Sequence, residues 1–131
     1  MMSEQRAGSC GTALIIEDND DNLVLISALL ERGGYRTIAA MTGETGFALA
    51  LKERPDLIIL DIQLPDINGT EVLRKIRAEE RGKSIPIIAM TSYAMAGDEE
   101  RLLADGCNGY IEKPIDPLLV LDQISDIMEK K

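Results

Sequence analysis

The chain has 131 residues, with 14 Lys+Arg against 23 Asp+Glu and a net charge of -9 at pH 7, so it is one domain with a single core. That balance argues against nucleic acid as the main partner, since phosphate backbones are bound through clustered positive charge, and against an anionic membrane surface. There is no histidine and no Trp, which removes His bases, His metal ligands, most serine- and cysteine-protease mechanisms and base-stacking platforms.

Residues 1–11 read as a loose polar tail, and the apolar run "ALII" after them is too short for a signal segment or a membrane span. "TALIIE" (12–17) is the first strand. Residues 18–34 form a helix with Asp20 or Asp21 as N-cap and Gly33-Gly34 as the stop. "YRTIAA" (35–40) is the second strand. The helix over 42–54 is capped by Thr42 and ends before Pro55. "LIIL" (57–60) is the third strand. The helix over 69–80 turns Val72, Leu73 and Ile76 to the core, and its Arg74, Lys75, Arg77, Arg81 and Lys83 read as a solvated face. "IPIIAM" (85–90) is the fourth strand, 96–106 a short helix closed by Gly106, and "GYIE" (109–112) the fifth strand. The helix over 116–131 has Asp116 as cap and Pro117 in its first position. Cys10 and Cys107 make no disulfide framework or metal pattern, which suits a reduced cytoplasmic protein.

Short, continuously apolar strands alternating with helices indicate a parallel sheet covered on both faces. Five right-handed units give an α/β, flavodoxin-like doubly wound (βα)5 fold with strand order 2-1-3-4-5. The expected domain is 12–131, preceded by the tail 1–11.

Sites in such sheets lie at the carboxyl ends of the strands, beside the switch in strand order. Strand 1 delivers Glu17 and Asp18 there, strand 3 Asp61, strand 4 Thr91 and strand 5 Lys113. Taken singly, each has a plainer explanation. "EDNDD" suits an acidic helix start, a lone Asp after a strand is usually a turn former, and a lone Lys is usually solvated. Joint placement at one rim is what distinguishes them. Three close carboxylates repel unless a hard cation such as Mg2+ joins them. An ion of that kind with a lysine opposite attracts a phosphoryl group, and Asp61 is the best-placed nucleophile.

These residues resemble the receiver domain of two-component response regulators. The motifs are the acid pair Glu17-Asp18, Asp61 followed by "LPDING", Thr91 after strand 4 and "GYIEKP" around strand 5, spread over residues 12–128. The resemblance implies that Asp61 is the phosphoacceptor, with the domain itself promoting phosphorylation and dephosphorylation. Glu17, Asp18, Asp61 and the Gln63 carbonyl would hold Mg2+, or Mn2+ in its place. Lys113 would hold the phosphoryl oxygens, Thr91 and Tyr110 would be the switch pair, and the Lys113-Pro114 bond would be cis. A histidine kinase or histidine phosphotransfer protein would be the donor. The listener would be a protein docking on the face of the fourth helix, fifth strand and fifth helix, because no output domain is expected here. The apolar "LVLISALL" of the first helix has more hydrophobic residues than a core needs, so it is read either as a donor-docking face or as deep burial.

The sequence departs from the commonest pattern in having Glu17 in the acid pair, Ile67 in the Pro-x-x-x-Gly turn and Ser92 after the switch Thr. Gln63 and Tyr93 stand where the family tunes phosphate lifetime. Both are bulky, which implies slow self-dephosphorylation. A haloacid-dehalogenase phosphatase would need a second acid where Gln63 stands, and a flavodoxin would need a phosphate loop where "EDNDD" stands. A P-loop hydrolase lacks its motif. The remaining alternatives are an unphosphorylated scaffold receiver and a receiver module cut from a hybrid histidine kinase.

Overall fold

A computed structural model describes residues 10–92 and 98–129. The elements in chain order are β1 (Gly11–Ile16), α1 (Asp20–Arg32), β2 (Tyr35–Ala40), α2 (Gly43–Glu53), β3 (Leu57–Asp61), α3 (Gly69–Ala78), a 3-10 turn (Glu80–Gly82), β4 (Ile87–Thr91), α4 (Asp98–Asp105), β5 (Gly109–Glu112) and α5 (Val120–Glu129). All strand pairs are parallel, in the order β2-β1-β3-β4-β5. That is the expected doubly wound sheet.

The continuous apolar strands are explained by two cores, one on each face, where a single core was expected. Leu14, Ile16, Ile58, Leu60, Ile87 and Ala89 face Val72, Leu73, Ile76 and Leu102 from α3 and α4. Their neighbours Ala13, Ile15, Leu57, Ile59, Ile88 and Met90 face Ile26, Leu29, Leu30, Val120 and Ile124 from α1 and α5. The two-residue period of a strand sends alternate side chains to opposite sides, and here both sides are dry. β3 is buried along its whole length, so it holds Asp61 on a rigid support.

Several element ends differ from expectation. The N-cap of α1 is Asn19, not Asp20 or Asp21. Asn19 has the extended backbone that a cap requires (φ -88, ψ 119), and its side chain accepts from the Asn22 N–H. Asp20 and Asp21 occupy the first turn, where they complement the helix dipole. α3 stops at Ala78, where Glu79 turns extended and the 3-10 turn follows. Gly82 in that turn lies so close to the Ile76 carbonyl that a Cβ would sit 2.1 Å from its oxygen. β4 starts at Ile87 rather than Ile85. α5 starts one turn late, at Val120. Asp116 still caps the preceding turn, accepting from Leu118 N through Oδ1 at 2.9 Å and from Val120 N through its carbonyl at 3.0 Å. Thr42 caps α2 as expected.

The basic face of α3 is not uniformly solvated. Arg77 is half-buried and donates to the carbonyls of Gly106 (2.9 Å), Gly82 (2.6 Å) and Ile85 (2.7 Å) and to Asn108 Oδ1 (3.0 Å). It ties α3 to the start of β4 and to the α4–β5 connection. Arg74 pairs with Asp105 of α4 at 3.2 Å, and Lys75 lies over the Phe47 ring of α2.

Candidate functional site

Sheet register builds the site. Ile16 of β1 pairs with Leu60 of β3, so the next residues, Glu17 and Asp61, stand side by side at the end of the sheet. Thr91 is the last residue of β4 and pairs with Glu112 of β5; Lys113 follows directly. The expected residues Glu17, Asp18, Asp61, Thr91 and Lys113 are thus all delivered to one rim.

Glu17 and Asp61 are buried, at 0% and 1% exposure, while Asp18 faces solvent. One carboxylate oxygen from each lies within 4.8 Å of the others. Lys113 Nζ stands between the two buried acids, 3.1 Å from Asp61 Oδ1 and 3.3 Å from Glu17 Oε1. One ammonium is therefore shared by two buried carboxylates. The imbalance shows in Glu17, whose carboxyl is pushed up to about 7 from 4.5. Burial is the main cause, followed by hydrogen bonding with Asp61 and then the Asp61 charge, and the Asn19 N–H and Lys113 pull the other way.

Backbone donors orient the two acids. Asn19 N–H donates to Glu17 Oε2 at 3.1 Å and Gln63 N–H to Asp61 Oδ1 at 3.0 Å. Glu17 Oε1 is buried and makes no hydrogen bond. A buried carboxylate oxygen whose one charged neighbour, Lys113, is shared with Asp61, in a cluster of three acids, fits a hard divalent cation.

The loop after Asp61 is shaped by close approach. A Cβ on Gly69 would lie 2.5 Å from the Asp61 carbonyl oxygen, so only glycine lets α3 begin against the end of β3. Gly69 N–H donates to the Ile62 carbonyl at 2.8 Å. Asn68 caps α3 by accepting from Thr70 N–H at 2.9 Å. "Asn-Gly" is therefore a helix cap followed by a point of backbone contact. Beside this loop lies a cleft of about 570 Å³, lined among others by Gln63, Thr91, Arg74 and Arg101.

Thr91 is 5% exposed, and its carbonyl accepts from Lys113 N–H at 2.9 Å. Tyr110 is half-buried on β5 and packs against the core on the α3–α4 side. The Lys113-Pro114 bond is cis. The Gln63 side chain is exposed. Tyr93, the other residue named for phosphate lifetime, lies outside the described residues. Sequence reading missed Asn19, whose N–H holds Glu17, and took Asn68 for part of a turn rather than a helix cap. The Asn19 signal was available, since it directly precedes an acidic helix start.

The family model for the response regulator receiver domain matches residues 13–125. The chain is a member of the response regulator receiver family. This receiver domain is 45% identical over 104 residues to the polar-differentiation response regulator DivK of Brucella anthropi, covering 79% of this chain and 85% of that one. It superposes on the receiver domain of sensor histidine kinase PA1611 from Pseudomonas aeruginosa PAO1 with a TM-score of 0.82 and 34% identity, over 91% of this chain and 98% of that one. That structure has a magnesium ion coordinated in its active site cleft. The chemotaxis response regulator CheY4 of Vibrio cholerae gives a TM-score of 0.84 at 27% identity, covering 88% of this chain and 97% of that one. A receiver domain is a phosphorylation-activated switch, a signalling element rather than a metabolic enzyme. It takes phosphoryl groups from histidine kinases and signals onward to partners. No helix among the described residues is long and apolar enough to cross a membrane.

Proposed function

We propose that this receiver domain accepts its phosphoryl group on Asp61, from a phosphohistidine of a histidine kinase or histidine phosphotransfer protein. The observation that carries this is the buried Asp61 carboxylate at the end of β3, with Lys113 Nζ 3.1 Å from its Oδ1. Glu17, Asp18, Asp61 and the Gln63 carbonyl would hold Mg2+, or Mn2+ in its place. When bound, the ion neutralises the phosphoryl charge and lets the three acids stay ionised together.

The chain's own groups do the rest. The Gln63 N–H fixes Asp61 Oδ1, which leaves Oδ2 to attack phosphorus. The P–N bond to the donor imidazole breaks as the P–O bond to Asp61 forms, and the imidazole leaves neutral after taking a proton from solvent. Lys113 balances the charge spreading over the phosphoryl oxygens. Loss of the label is a separate hydrolysis: water attacks phosphorus, the P–O bond to Asp61 breaks, and inorganic phosphate and the Asp61 carboxylate are released beside the same groups. The bulky Gln63 beside the acceptor supports slow loss of phosphate.

Once phosphorylated, Asp61 carries added charge and strong acceptors. These favour a state in which the Thr91 hydroxyl and the Tyr110 ring are drawn toward it, biasing the α4-β5-α5 face that a protein listener reads. Burial takes up most of the apolar excess of α1, and the donor docks on what stays exposed at Val24 and in the turn before α5. Val24 is 69% exposed and Leu118 and Leu119 are 88% and 51% exposed, while most of the other apolar residues of α1 are at least partly buried. The low cysteine use fits a cytoplasmic setting.

Incubation with acetyl phosphate and Mg2+ is expected to add one phosphoryl group, read by intact mass. Omitting Mg2+ or substituting Asp61→Asn is expected to remove it. A folded protein that gains nothing would instead be a scaffold receiver, and the switch roles of Thr91 and Tyr110 would fall with it.

A further inference from the structure

Asp66 sits at the tip of the loop between β3 and α3, exposed and away from the acid cluster. Its carboxylate is nevertheless fully engaged. Oδ1 accepts from Gly43 N–H at 2.8 Å and Oδ2 from Glu44 N–H at 3.0 Å. These are the first two amides of α2. Thr42 takes the third, accepting from Thr45 N–H at 3.2 Å, and its carbonyl takes the Gly46 N–H at 3.0 Å. The N-terminus of α2 is therefore satisfied half by its own cap and half by a side chain from another loop. The two N–H groups hold the Asp66 carboxyl below the usual range. Ile67 adds a second fastening, because a Cβ on Gly43 would lie 2.6 Å from Ile67 Cγ1.

We infer that Asp66 is a positioning residue for the phosphorylation site, pinning the β3–α3 loop to α2 so that Gln63 is presented at a fixed place beside Asp61. The loop is closed at its neck by the bond from Gly69 N–H to the Ile62 carbonyl and held at its tip by Asp66. Gln63 lies between these two points. Its N–H orients Asp61, and its carbonyl belongs to the metal shell on the reading given above, on which this inference rests. A loop fixed only at its neck samples more Gln63 orientations, and metal affinity falls with the fraction that is competent.

Titration calorimetry with Mg2+, alongside thermal unfolding, tests this on four proteins. The wild type binds. Asp66→Ala is expected to bind roughly 10-fold more weakly, the low end for groups that orient metal ligands. Asp66→Asn, which keeps one acceptor, falls between. Thr42→Ala removes the other half of the same helix cap; it lowers the melting temperature and leaves Mg2+ affinity unchanged. Faster amide exchange at Gly43 and Glu44 in Asp66→Ala reports the lost tether directly. Wild-type affinity in Asp66→Ala, or equal weakening in Thr42→Ala, overturns the inference alone. A folded wild type that binds no Mg2+ overturns the metal reading and the inference with it.

Discussion

Lys113→Met is expected to destabilise the Mg2+-free protein by about 3 kcal/mol at pH 8, because it leaves two buried carboxylates without their cation. Glu17 and Asp61 are 0% and 1% exposed, and the Lys113 ammonium lies within 3.3 Å of both. Met keeps an unbranched side chain of nearly the same length and removes the charge together with its N–H donors. The loss shrinks as pH falls, since protonation of Glu17 then removes the repulsion that Lys113 had offset. Added Mg2+ recovers part of it by supplying positive charge. Phosphoryl acceptance falls by about 100-fold even under conditions where the variant is folded, the scale found when one preorganised charge-stabilising group is deleted. Urea unfolding at pH 6 and pH 8 checks the first part and initial rates with acetyl phosphate the second. Equal stability of variant and wild type at pH 8 would mean that water, not Lys113, balances these acids.

The second large effect is a pH dependence with an unusual sign. Carboxylates in folded proteins are more often stabilised in their charged form, so stability rises with pH. Glu17 works the other way. Its folded value is about 7 and its ordinary value is 4.5, so the folded state holds the proton more firmly than the unfolded state. Its contribution is fully present below pH 4.5 and is lost as pH rises through 7. The whole span is on the order of 3 kcal/mol. Mg2+-free protein is therefore expected to lose stability between pH 5 and pH 8, and Glu17→Gln to abolish that slope. Mg2+ must displace the same proton, so its affinity rises with pH up to about 7 and then levels off. Asp66 does not confuse the comparison: its lowered carboxyl titrates below this window. A Mg2+-free stability that climbs from pH 5 to pH 8, or an unchanged slope in Glu17→Gln, would contradict the assignment.

Much of the site is legible in the sequence because a parallel sheet converts position along the chain into position in space. A continuously apolar run must be a strand covered on both faces, and where it ends on Asp61 the chain has reached the carboxyl rim. Register then follows, and with it the neighbourhood of Glu17 and Asp61. What sequence does not show are groups whose partners are far away in the chain. Nothing local marks Asp66 inside "LPDING", and its donors lie 23 and 22 residues earlier. Arg77 reads as one more solvated base on α3. Its burial depends on the 3-10 turn folding back over Ile76, which Gly82 permits by lacking a side chain. Asn68 and Gly69 read as a turn and serve instead as a cap and a backbone contact. In each case the local pattern is correct about polarity and silent about the partner.

The most direct test of the central claim is the position of the label. Acetyl phosphate is added with Mg2+, the acyl phosphate is reduced with borohydride, and the digested peptides are mapped by mass. Reduction converts an aspartyl phosphate to homoserine. The expected result is homoserine at position 61 and nowhere else. Reduction at Glu17 or Asp18 with Asp61 intact would contradict the assignment of Asp61 as the nucleophile held by Gln63 and Lys113.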